Sequence, residues 1–111
     1  MKSVTYSDAI RRMPQYLALA RETTDRLQGI LTPSGERASA EWDLSTDERG
    51  TPLLSLRVWD DMKGEAETRF VPDKMKDSTG LRSQLLRLWG DLLQKRSHKQ
   101  LEDLMDPGSG D

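Results

Sequence analysis

Apolar residues in the first third of the chain recur at three- and four-residue steps, which is the spacing of one buried helix face. This spacing predicts a helix from about Pro14 to Gly29, preceded by a short helical turn over residues 7–12. Ser7 can cap that turn, because a serine hydroxyl accepts a hydrogen bond from the amides at a helix start. Pro14 suits the first turn of the longer helix, where its missing N–H is not needed.

Three later stretches alternate between apolar and polar residues, which is typical of strands with one wet face. These stretches cover residues 37–44, 53–59 and 65–71 and are separated by polar, turn-rich segments over 45–50 and 60–64. Short connections favour antiparallel pairing, since parallel pairing needs a long crossover. We therefore expect a three-stranded antiparallel meander that ends at Pro72.

The strongest helical pattern begins at Leu81, after a linker in which Ser78 or Thr79 can act as the cap. A single apolar stripe marks the face that we expect to be buried. It contains Leu81, Leu85, Leu88, Trp89 and Leu92, with Leu86 and Leu93 at its edge. The stripe predicts that this helix packs on the sheet as far as Leu93.

Beyond Leu93 the apolar stripe stops, because Arg96 and Lys99 occupy the next inward positions of the helix. Three further apolar side chains point about 90° away from the stripe. They are Leu101, Leu104 and Met105. The pattern leaves open whether residues 94–105 continue the helix or form a separate element.

The predicted order of elements is helix, three strands and helix. Each helix has one apolar stripe, and the simplest way to bury both stripes is to pack both helices on the same face of the sheet. We therefore predict an α+β fold with two layers, α-β-β-β-α, over a single domain of residues 1–105. Residues 106–111, rich in Asp, Gly and Pro, are predicted to form a disordered tail.

Composition narrows the class of protein further. The 111 residues are 34% hydrophobic, which leaves no apolar material for a second core, and the net charge of −2 is unlike that of a dedicated nucleic-acid-binding or membrane-surface protein. No apolar stretch reaches the ~18 residues of a membrane span. The chain has no cysteine, which excludes disulfides and thiolate chemistry and favours the cytoplasm.

Catalytic and metal-binding patterns are not evident. His98 is the one histidine, and it has no acidic residue within three positions. The pairs Asp47-Glu48 and Asp60-Asp61 lie in predicted turns, where aspartate is a favoured residue, and neither follows a calcium-loop pattern. We expect no catalytic, cofactor or metal site and no enzyme activity. A small enzyme or a cation-dependent site is kept as an alternative, and its candidate residues are Asp43, Asp47, Glu48, Asp60 and Asp61.

The predicted order resembles, in topology, the double-stranded-RNA-binding domain. That family contacts the duplex through a Lys-rich start of its last helix and a loop bearing Gly and His between its first strands. The corresponding positions here are 74–80, which read KMKDSTG, and 45–50, which read STDERG. Asp77 interrupts the lysines, and the loop is acidic and has no histidine. We therefore do not assign the chain to this family.

The feature that most strongly indicates a function is the uneven distribution of charge along the chain. Residues 36–71 carry nine acidic and five basic residues, whereas residues 81–99 carry five basic residues and one acidic residue. We hypothesise a non-enzymatic protein-interaction module, acting as a regulator, adaptor or subunit, whose partner is another protein or a second copy. The alternative is weak nucleic-acid binding by the basic face of the last helix. The predicted partner-binding residues are Trp59, Arg87, Lys95, Arg96, Lys99, Leu101, Leu104 and Met105.

Overall fold

The computed structural model of the chain describes residues 1–31 and 37–105. Its elements are, in chain order, β1 (Ser3–Tyr6), α1 (Asp8–Arg11), α2 (Pro14–Leu31), β2 (Ser39–Thr46), β3 (Pro52–Trp59), β4 (Glu65–Phe70), a 3₁₀ helix (Pro72–Lys76) and α3 (Ser78–Met105). The predicted α+β class is confirmed, and the predicted helices and three strands are all present. The predicted tail, residues 106–111, lies outside the described residues.

The sheet has four strands rather than the predicted three, in the spatial order β1-β2-β3-β4. The meander of β2, β3 and β4 is antiparallel as predicted, but β1 lies parallel to β2, with Ser3 opposite Ser39 and Tyr6 opposite Trp42. The prediction missed β1 because this strand has four residues and pairs across a long helical connection. Such pairing leaves no hairpin turn in the sequence.

The start of the chain is organised around α1 and α2. The Ser7 hydroxyl accepts a hydrogen bond from the Ile10 amide at 3.4 Å, which confirms the predicted cap. Ile10 is fully buried. Pro14 is the first residue of α2, as predicted, and the buried face of this helix includes Ala20, Leu27 and Leu31.

The core lies between one face of the sheet and the two long helices. Trp42 is fully buried at its centre, with its ring centroid 5.7 Å from that of Phe70. The Trp42 Nε1–H donates to the Thr24 hydroxyl at 2.8 Å, and that hydroxyl donates to the carbonyl of Ala20 at 2.8 Å. These two hydrogen bonds give partners to two polar groups that would otherwise be buried without one, and they join α2 to β2.

The last helix, α3, is continuous from Ser78 to Met105, which resolves the alternative left open for residues 94–105. It packs along β4 and contributes four buried leucines to the core: Leu81, Leu85, Leu88 and Leu92. These are the four leucines of the predicted core stripe, whereas its fifth member, Trp89, is only partly buried. Leu101 is 53% exposed and Leu104 is 84% exposed, so neither returns to the core. The end of α3 therefore extends beyond the packed part of the domain.

Candidate interaction surface

The turn between β3 and β4 and the later turns of α3 enclose a groove of about 520 Å³, which we call the turn groove. Its lining residues are Arg57, Trp59, Asp60, Lys63, Gly64, Glu65, Lys95, Lys99 and Glu102. The groove brings together three of the predicted partner-binding residues, namely Trp59 from β3 and Lys95 and Lys99 from α3. These residues come from distant parts of the sequence, so the groove is a product of the fold.

Most charged side chains in the turn groove lie near an opposite charge. Glu65 lies 3.6 Å from the Arg57 Nε and 3.9 Å from the Lys95 Nζ, and Glu102 lies 3.7 Å from the Lys99 Nζ. The Arg57 guanidinium also covers the Trp59 ring at 5.1 Å from its centroid. The lining carries four basic and three acidic residues, which is a small excess compared with the cluster of cations that contacts a phosphate backbone. It gives no support to the nucleic-acid alternative.

Beneath the groove, Asp60 is a buried carboxylate with two separate tasks. Its Oδ1 accepts hydrogen bonds from the amides of Met62, at 2.9 Å, and Gly64, at 2.8 Å, which closes the β3–β4 turn. Its Oδ2 accepts from the guanidinium of Arg96, through Nε at 2.9 Å and also through Nη2. The Asp60 side chain is only 2% exposed and that of Arg96 is 21% exposed. The sequence predicted only that Asp60 lies in a turn, and the structure adds that its side chain is buried there.

This ion pair gives Arg96 a role within the monomer. Arg96 also lies over Trp89, at 5.8 Å from the ring centroid, so its side chain is held on two sides. Its inward position on α3, which looked like the end of the core stripe, is where the helix is tied to the β3–β4 turn. We therefore do not include Arg96 in the proposed interaction surface.

The second surface is an apolar face on α3, which we call the leucine stripe. It consists of Leu86, Leu93, Leu101 and Leu104, whose exposed fractions are 46%, 37%, 53% and 84%. At about 100° per residue the four side chains fall within an arc of about 80°, and the centre of this arc lies about 150° from the centre of the buried stripe. The leucine stripe is therefore a separate face of α3 that points away from the sheet.

Half of the leucine stripe was missing from the predicted site. Leu86 and Leu93 were assigned to the edge of the core stripe, yet both are substantially exposed and align with Leu101 and Leu104. Their separation of seven residues is the sequence signal that could have identified them, since it repeats one helix face after two turns. Of the other predicted residues, Arg87 is exposed on α3, and the side chain of Met105 lies outside the described residues.

Other chemistry is limited in the part of the chain that the structure describes. His98 lies on the exposed side of α3, with its Nε2 3.0 Å from a carboxylate oxygen of Glu102, one helical turn later. Within residues 1–31 and 37–105, no three His, Cys, Asp or Glu side chains come together as a metal-binding cluster. No helix in these ranges is both long enough and apolar enough to cross a membrane.

Comparison with known proteins gives no independent indication of function. No protein-family model, curated protein or solved structure matches the chain. The interpretation of the two surfaces therefore depends on their own geometry and chemistry.

Proposed function

We propose that the chain is a non-enzymatic protein-interaction module that acts as a regulator, adaptor or subunit, and that it binds its partner through the leucine stripe. The observation that carries this proposal is the set of four exposed leucines on one face of α3. An exposed apolar helix face is characteristic of interaction sites on protein surfaces. Leucines at helical spacing on such a face fit a partner that supplies a groove or another helix.

The turn groove is a less suitable docking site than the leucine stripe. Its charged side chains already pair with one another, and a partner would have to replace these contacts before gaining any. Lys95 and Lys99 lie on the side of α3 that faces the β3–β4 turn, about 160° from the centre of the leucine stripe. One partner helix could not contact both surfaces, and the apolar surface offers the larger gain on burial.

A cytoplasmic location is part of the same proposal. The chain has no cysteine, and small domains outside the reducing compartments commonly depend on disulfides. The proposal that the module is not an enzyme is supported by the pairing of its acidic and basic groups. In the described residues, Asp60 and Glu65 are engaged in ion pairs, and Asp47 closes a turn by accepting from two backbone amides.

The proposal is tested by a double variant, Leu93→Glu with Leu104→Glu, which places two charges in the leucine stripe. The matched control is Lys95→Gln with Lys99→Gln, which changes the net charge by the same amount on the other side of α3. Each immobilised chain is incubated with extract of the cells that produce it, and bound proteins, including the untagged chain itself, are quantified by mass spectrometry.

We expect the leucine variant to capture at least tenfold less of one specific protein than the unmodified chain does, while the lysine variant captures the same amount. Because both leucines are exposed, circular dichroism should show that the variants keep the fold. If both variants retain the same proteins in the same amounts, the leucine stripe is not the interaction surface and the proposal is wrong.

A further inference from the structure

Two small residues divide the leucine stripe. Gly90 and Ser97 are exposed and lie between the leucines on the same face of α3, and a Cβ placed on Gly90 would meet no atom within 4 Å. A second α3 running in the opposite direction fits this order of large and small side chains. One antiparallel register pairs Leu86 with Leu104 and Leu93 with Ser97, and it places Leu101 within one residue of Gly90. Leucines then meet at both ends, and large side chains meet small ones between them.

We propose that the partner of the leucine stripe is a second copy of the chain, and that two α3 helices pair antiparallel about a two-fold axis. This inference rests on the proposed function, because it names the partner of the same surface. The pairing is isologous, so each copy contributes the same residues and the contact closes after two chains. It covers about 27 Å of helix from Leu86 to Leu104 in each copy.

The helix dipoles favour the antiparallel direction over the parallel one. In an antiparallel pair the positive start of each α3 lies beside the negative end of its partner, whereas a parallel pair places like ends side by side.

The fold leaves space for this partner. The buried leucines of α3 lie about 150° around the helix from the leucine stripe, so each domain sits on the far side of its helix. The end of α3 that extends beyond one domain would then cover Leu86 and Leu93 of the other. A contact limited to one helix from each copy is at the small end of specific interfaces, so we expect a dimer with a dissociation constant in the micromolar range.

The association is tested by light scattering coupled to size exclusion over a range of chain concentrations. We expect the measured mass to rise from the monomer value of 12.6 kDa to twice that value as concentration increases. Leu93→Glu with Leu104→Glu should remain monomeric throughout, and Lys95→Gln with Lys99→Gln should behave as the unmodified chain. A mass of 12.6 kDa at all concentrations, or a dimer that survives in the leucine variant, overturns the inference.

The direction of pairing is tested by disulfide trapping, which the cysteine-free chain makes straightforward. Leu86→Cys and Leu104→Cys are prepared as single variants, mixed and mildly oxidised. The inference predicts that the mixed 86–104 disulfide exceeds either like-with-like product. Predominant 86–86 and 104–104 products would mean parallel pairing and overturn the antiparallel arrangement.

These outcomes separate the inference from the proposed function. A chain that stays monomeric but captures another protein through its leucines would overturn the inference and leave the proposed function in place. A chain that neither self-associates nor depends on its leucines for capture overturns both.

Discussion

Replacing Arg96 by methionine should reveal how strongly the end of α3 is tied to the sheet. Methionine keeps most of the length and apolar volume of the arginine stem, so the packing against Trp89 is largely retained. What is lost is the guanidinium that donates to the Oδ2 of Asp60. The carboxylate would then remain buried, at 2% exposure, without its charge partner.

Removing one partner of a buried ion pair destabilises a protein by about 3–5 kcal/mol, because the remaining charge is uncompensated. We expect the lower end of this range, about 3 kcal/mol. The Oδ1 of Asp60 keeps its hydrogen bonds from Met62 and Gly64, and the partly exposed position of Arg96 admits some water. For a urea dependence of about 2 kcal/mol per molar, the unfolding midpoint should fall by about 1.5 M.

The measurement is urea unfolding followed by circular dichroism, with Lys95→Met as the matched control. Lys95 is the preceding residue of α3, its side chain is 49% exposed, and its nearest carboxylate oxygen is 3.9 Å away. Exposed pairs of this kind contribute roughly 0–1 kcal/mol. If Arg96→Met and Lys95→Met shift the midpoint equally, the Asp60–Arg96 pair does not stabilise the domain in the way proposed.

Two further substitutions test other contacts by urea unfolding. Thr24→Val should lower the free energy of unfolding by about 1–3 kcal/mol, because the buried Nε1–H of Trp42 loses its acceptor. Thr24→Ser keeps a hydroxyl and should retain most of the stability. Equal losses in the two variants would refute this role of the hydroxyl. Gly64→Ala should destabilise the domain by about 1–3 kcal/mol, since a Cβ there would lie 2.7 Å from the Leu92 Cδ2. Gly29 has open space around it, so Gly29→Ala should be neutral or stabilise α2 by up to about 1 kcal/mol. A neutral Gly64→Ala would contradict the close packing.

Local periodicity predicted most of the fold because the signals for α2, α3 and the meander lie within single elements. The start of α2 at Pro14 and the buried stripe of α3 follow from residues that are neighbours on one helix face. β1 was not predicted, for two reasons. Its partner, β2, follows a long helical connection, and a strand of four residues is too short for a clear alternation of apolar and polar positions. The fold class was therefore predictable, and the fourth strand was not.

The candidate site was less predictable, because its decisive contacts join distant residues. Asp60 and Arg96 are 36 positions apart in the sequence, so neither residue signals the other. Arg96 therefore looked like a free surface charge and Asp60 like an ordinary turn residue. The leucine stripe, in contrast, lies on a single helix. It was half recognised because Leu86 and Leu93 also fit the edge of the buried stripe, and only burial distinguishes the two assignments.

The extension of α3 beyond Arg96 is the feature that connects the fold to the proposed function. Short helices without tertiary contacts are marginal in water, because nucleation and backbone ordering are not offset by burial. Residues 97–105 gain continuity with a packed helix and the ion pairs of Glu102 with His98 and Lys99, which are small contributions. Leu104 is 84% exposed and Leu101 is 53% exposed, so these side chains stabilise the monomer only in part, and their full burial needs a complex. A helix that continues past its own domain with leucines facing outward is best stabilised by a partner, and the face that these leucines share with Leu86 and Leu93 is where that partner would bind.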